Sequence, residues 1–198
     1  MSGSKLYRWL AGACLALALL AAGWFFVLQP RIEAKLAGQL GYGDYTLQTT
    51  SGGTFTRESL RGGPTAVFFG FTHCPEVCPT TLGDISQWQE ALAAEGRDPL
   101  DVYFVTVDPE RDTLDLMDDY TSWAPGVQGV SGPRGEIDKA ITAFRVFATR
   151  RPLEDGGYTM DHSAFVLLFD RDGRFTQPIS YQEDTDRALA KLRALTGS

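Results

Sequence analysis

The sequence predicts an α/β domain, a central mixed sheet flanked by helices, carried behind an N-terminal membrane helix. Three observations predict it. Continuous apolar runs at residues 65–71, 102–107 and 164–169 read as strands buried on both faces. Between the first two runs, Leu82, Ile85, Trp88 and Leu92 recur at helical spacing. Residues 9–28 form an uncharged stretch of roughly 20 residues, the length that crosses hydrocarbon as a helix.

Taken in order, residues 1–8 are a short cytoplasmic N-terminus and residues 9–28 a transmembrane anchor. Tyr7 and Trp9 at one end, with Trp24, Phe25 and Phe26 at the other, read as interfacial belts. The aromatic cluster argues for a retained anchor over a signal peptide cleaved near Ala21-Ala22-Gly23. Lys5 and Arg8 before the span balance Arg31 and Lys35 after it, so the orientation rests on the layout of a short leader and a large following domain. Without an Arg-rich, acid-poor presequence ahead of the span, the expected location is the bacterial inner membrane, single-pass, with the C-terminal domain in the periplasm. Cys14 packs within the span as a small polarizable residue.

Residues 29–43 turn polar and read as a linker or short helical stem before a domain at 44–198. Alternating residues around Ser51-Gly52-Gly53 predict a strand-turn-strand at 45–55. Proline is favoured at a helix's first position, so the helix after the first buried strand is expected to open at Pro79 with Cys78 as N-cap. A helix is predicted at 114–123, capped by Asp112 or Thr113, and a short strand at 127–130. Pro133 opens a helix carrying Ile137, Ala140, Ile141 and Phe144, and residues 154–157 read as a turn. After the third buried strand, residues 170–174 turn into a strand at 175–180, and a helix with Leu189, Leu192 and Leu195 closes the chain. This order is thioredoxin-like. Trp88 and Trp123 are expected in the core, and Asp115, Asp118 and Asp119 on a solvated helix face.

With a net charge of -7 the chain lacks the clustered Lys and Arg that phosphate neutralisation requires, which excludes nucleic acid as a partner. Three cysteines are too few for a disulfide framework. Two of them, Cys74 and Cys78, each precede a proline, which places them on a loop. At a helix N-terminus the dipole favours a thiolate, the form that binds metal or attacks a disulfide. Of the two histidines, His162 stands immediately before the third buried strand, in a loop that a thioredoxin-like sheet brings beside the cysteines. Two thiolates and one imidazole suit copper in either oxidation state, and also zinc, although structural zinc normally takes four protein ligands. The competing use is a thiol-disulfide oxidoreductase, with Cys74 and Cys78 as a redox-active disulfide. Such enzymes normally space the pair one residue closer and carry a proline where this chain has Asp161-His162. A peroxide-scavenging thiol enzyme is a third possibility. Around the site, His73 reads as a hydrogen-bonded loop residue, Met160 as an apolar gap-filler, and Asp161 as a group that orients the imidazole or serves a partner. Residues 108–112 combine turn and capping roles with carboxylates near the site.

Phe71-Thr-His-Cys-Pro-Glu-Val-Cys-Pro79, Val107-Asp-Pro-Glu-Arg-Asp-Thr113 and Asp161-His-Ser-Ala164 together resemble the Sco/SenC family of membrane-anchored copper proteins. The three blocks stand in the family's order, and Glu76 replaces the more common aspartate with its carboxylate kept. The resemblance implies a thioredoxin-fold domain outside the membrane that binds copper through Cys74, Cys78 and His162. It further implies a metallochaperone, or a thiol reductant, in assembly of the dinuclear copper centre of cytochrome c oxidase subunit II. Another periplasmic copper chaperone is a candidate further partner.

Overall fold

A computed structural model describes residues 3–29, 38–154 and 156–197. Its contacts divide the chain into two units, Met1–Gln39 and Leu40–Ser198. The first contains helix α1 (Gly3–Gly23), continued by a π-helical turn at Trp24–Leu28. Within it, Arg8–Leu28 is long and apolar enough to cross a membrane, and Cys14 is exposed. Most of the expected stem, residues 30–37, lies outside the described residues.

The second unit is built on a seven-stranded sheet in the order β2-β1-β5-β4-β3-β8-β9. These strands are β1 (Leu47–Thr49), β2 (Thr54–Phe55), β3 (Thr65–Gly70), β4 (Asp101–Thr106), β5 (Val127–Ser131), β8 (Phe165–Phe169) and β9 (Phe175–Ser180). The sheet is mixed. β3, β4 and β5 run parallel, whereas β8 and β9 add antiparallel along the other edge of β3. Parallel strands covered on both faces need no polar face, and accordingly all six residues of β3 are buried. Phe68, Phe69, Phe104, Phe144 and Phe169 are almost fully inaccessible. Each such side chain contributes about 1.5–3 kcal/mol of transfer free energy. Helices α2 (Val77–Ala94), α3 (Leu114–Thr121), α4 (Arg134–Ala143) and α5 (Thr185–Thr196) flank the sheet. This is a thioredoxin-like architecture, as the apolar runs predict.

Three expectations are corrected. First, α2 begins before Pro79. Glu76 is its N-cap, and Thr80 N–H already donates to Glu76 O at 3.1 Å. Proline is tolerated here because the first four N–H groups of a helix have no intrahelical partner, so its missing donor costs nothing. Cys78 therefore lies inside the first turn, with Cys74 on the preceding loop. Second, Trp123 is 51% exposed, because α3 ends at Thr121 and the tryptophan falls on the turn beyond its C-cap Ser122. Trp88 is buried as expected, and Asp115, Asp118 and Asp119 face solvent.

Third, the turn near residues 154–157 joins two strands the pattern did not reveal, β6 (Ala148–Pro152) and β7 (Tyr158–His162), which pair antiparallel as a separate two-stranded sheet. Residues 149–152 of β6 are exposed and only Met160 of β7 is buried, so no apolar alternation marks this arm. His162 is thus the last residue of a hairpin strand and not part of a loop.

Candidate metal and thiol site

The cysteine loop is set by a buried carboxylate. Asp112, fully inaccessible, accepts from Thr72 N–H at 3.1 Å and from the Thr72 and Thr106 hydroxyls at 2.6 Å each. It ties the segment after β3 to the end of β4. Cys74 N–H then donates to Phe71 O at 3.2 Å, closing the turn. Cys78, in the first turn of α2, donates its N–H to Cys74 Sγ at 3.4 Å.

Gly70 lets the sulfur reach the sheet. A Cβ at Gly70 would lie 2.6 Å from Cys78 Sγ and 2.5 Å from Phe104 Cε2, distances no side chain sustains. A lone glycine in a buried strand signals such a close approach. Gly70 was legible in this way but is easily passed over inside an apolar run.

From the other side β7 delivers His162, whose Nε2 lies 3.8 Å from Cys78 Sγ. Its Nδ1 is 2.9 Å from Ser163 O. A carbonyl only accepts, so Nδ1 carries a proton and Nε2 is the nitrogen that faces the sulfurs. The imidazole stands edge-on to Phe71, ring centroids 5.7 Å apart at 89°. The ligand atoms of Cys74, Cys78 and His162 all lie within 4.8 Å of one another.

The two thiols are unequal. Hydrogen bonding from Cys78 holds the Cys74 thiol down to about 4 against the opposing effect of burial, with His162 and the N–H groups of Cys78 and Glu76 adding to it. The Cys78 thiol is pushed up by its bond to Cys74, by burial, and by the negative charges of Cys74 and Asp112. The pair therefore holds one proton between its two sulfurs near neutrality. A cation seated between them removes that penalty, because metal binding replaces protons on ligand atoms.

The neighbours sort as follows. His73 is half-exposed, bonded through Nδ1 to Thr72 Oγ1 at 3.0 Å, and lies outside the cluster. Met160 is buried in the core. Asp161 does not orient the imidazole, since it pairs with Arg151 across the hairpin at 3.1 Å and Ser163 O takes the orienting role. Alternation along β7 explains this, because adjacent residues point to opposite faces.

Fold and site together define a class: a thioredoxin-like domain that converges two thiols and one imidazole on a single point. The SCO1/SenC family profile matches residues 33–197, and the chain belongs to that family. It is 43% identical to Bradyrhizobium japonicum ScoI with copper bound, at a TM-score of 0.70, over 79% of this chain and 99% of that one. Yeast Sco1 with copper bound is 29% identical at a TM-score of 0.73, over 81% of this chain and 90% of that one. The mitochondrial SCO2 homolog of Bos taurus is 34% identical over 168 residues, 83% of this chain. The match covers 63% of that relative, so the chain spans a little under two thirds of its length.

Proposed function

We propose that this protein is a copper metallochaperone whose cargo is held by Cys74, Cys78 and His162. The observation that carries the reading is their convergence within 4.8 Å, with Nδ1 of the imidazole held by Ser163 O and Nε2 turned to the sulfurs. Two soft donors satisfy Cu(I), and the added nitrogen suits Cu(II). A set of three donors, with His162 partly exposed, also favours hand-off over permanent retention, since a fourth position is left open. The copper-bound relatives support the choice of metal.

We further propose that the Arg8–Leu28 helix anchors the chain in a bacterial inner membrane with the domain in the periplasm. There it supplies the dinuclear copper centre of cytochrome c oxidase subunit II, loaded in turn by another periplasmic copper chaperone. The reduced protein should bind one equivalent of Cu(I) in an anaerobic titration against a competing chelator, and His162→Ala should weaken Cu(II) binding by at least tenfold. Absence of Cu(I) binding, or unchanged Cu(II) affinity in His162→Ala, would remove the assignment.

The dithiol supports a second reading, reduction of a disulfide in the oxidase subunit. The Cys74 thiolate would attack one sulfur of that disulfide and expel the other as a thiolate. Cys78, on losing its proton, would then attack Cys74 Sγ and release the second thiol. The partner gains two electrons and Cys74–Cys78 becomes the disulfide. Copper delivery ranks first because the pair is spaced one residue wider than in the usual oxidoreductase and His162 stands where such enzymes carry a proline. Persistent electron transfer by His162→Ala, coupled with full support of oxidase assembly, would reverse the ranking.

A further inference from the structure

We infer that Arg111 is a positioning residue that holds the His162 hairpin in ligating register, an inference that rests on the metal reading of the site. The β6/β7 arm forms a sheet of its own, so His162 is the one member of the cluster carried off the main scaffold. Something must hold the arm to that scaffold, and Arg111 contacts both. Its Nε donates to the buried carboxylate of Asp108, two residues beyond β4. Its Nη1 donates to Tyr158 O, the first residue of β7, at 3.1 Å. Its guanidinium lies 3.8 Å from the centroid of the Tyr158 ring and 5.9 Å from that of Phe71, whose ring meets His162 edge-on.

The same tyrosine returns the contact. Tyr158 Oη donates to Asp108 Oδ1 at 3.0 Å, and Arg150 covers the ring with its guanidinium 3.9 Å from the centroid. At the far end of β7 the hairpin's own ladder is extended by one rung, where Ser163 N–H donates to Phe147 O and Phe147 N–H donates to Ser163 Oγ, each at 3.0 Å. The Arg111 end is joined to the segment that also carries Asp112, which fixes the cysteine loop, and Arg150 of β6 adds an exposed ion pair to Glu110 of the same segment at 3.7 Å. One short stretch, residues 108–112, therefore sets both halves of the site: Asp112 places the thiols and Arg111 the imidazole.

Loosening the arm should separate the two oxidation states. Cu(I) is satisfied by two thiolates, whereas Cu(II) depends on the nitrogen. Changing outer partners of a metal ligand typically costs 10–100-fold in affinity. Arg111→Met should thus lower Cu(II) affinity at least tenfold, change Cu(I) affinity less than about threefold, and remove the nitrogen hyperfine pattern from the Cu(II) EPR spectrum. Arg111→Lys, which keeps the charge beside Asp108, should restore part of that pattern. Because Arg111→Met leaves the buried Asp108 without its cationic partner, the double variant Asp108→Asn/Arg111→Met is measured in parallel and should behave alike. In the metal-free protein, amide exchange at Thr159 and Asp161, whose N–H groups face β6 in the hairpin register, should rise at least tenfold in both variants while α2 stays protected. Folded variants with wild-type hyperfine pattern, Cu(II) affinity and exchange would overturn the inference alone. A wild-type protein that binds no copper would instead overturn the metal reading beneath it.

Discussion

At the residue scale the controlling feature is a proton shared unequally by two sulfurs. Cys74 is stabilised as a thiolate with its ordinary value lowered to about 4, and Cys78 as a thiol. A depressed acid contributes stability above its unfolded value, near 8.5 for a free thiol, and loses it as pH falls toward the folded value. In the reduced, metal-free protein the Cys74 contribution should therefore decline on acidification from about pH 8.5 to about pH 4, and Cys74→Ser should flatten that slope. Alkylation by iodoacetamide reads the same asymmetry. Between pH 8 and pH 6 an unperturbed thiol slows on the order of 50–100-fold, whereas Cys74 should slow less than about twofold and Cys78 should stay protected. Asp112 is the other decisive residue. Asp112→Ala leaves the Thr72 N–H and the Thr106 hydroxyl without their acceptor and should cost about 2–4 kcal/mol in denaturant titrations, with a parallel loss of metal affinity. A neutral effect on stability would show that the loop is held by packing alone.

At the element scale the site lies where a fully buried strand ends, a helix begins and a hairpin crosses over. Gly70 at the end of β3 is the tightest point. Gly70→Ala must displace Cys78 Sγ or Phe104, so it should destabilise by about 1–3 kcal/mol, as overpacking does, and weaken Cu(I) binding as well. Unchanged Cu(I) affinity in a folded Gly70→Ala protein would place the sulfur elsewhere. The three buried strands were legible because continuous apolar runs leave few alternatives, and α4 and α5 because apolar residues recur at helical spacing. The β6/β7 arm was not. Its exposed residues include Arg150 and Arg151, its one buried residue is Met160, and its strands are held by ion pairs and an arginine-tyrosine stack that periodicity cannot register. His162 was found through its residue type and place before a buried strand, although the element that carries it was not. The start of α2 was misplaced for a local reason, since proline in a first turn is compatible with a helix that begins before it.

At the scale of the whole molecule, an apolar helix and a folded domain divide two tasks. Arg8–Leu28 supplies a segment fit for a membrane, and the domain from Leu40 onward carries the chemistry. Cys78 and His162 are 84 residues apart in sequence, and it is the sheet order, with β8 beside β3, that closes this distance. The domain thus keeps its thiols at the sheet while a separately built arm adds the nitrogen, an arrangement suited to cargo that must be both held and released. The most direct test of copper delivery is assembly of the dinuclear centre in purified subunit II. The subunit is supplied in parallel with copper-loaded wild type, reduced metal-free wild type plus free copper, and copper-treated His162→Ala. Copper delivery predicts that the loaded wild type forms the centre rapidly and in full, while the other two lag at least tenfold. Equal formation by all three would contradict it and leave thiol reduction as the protein's work.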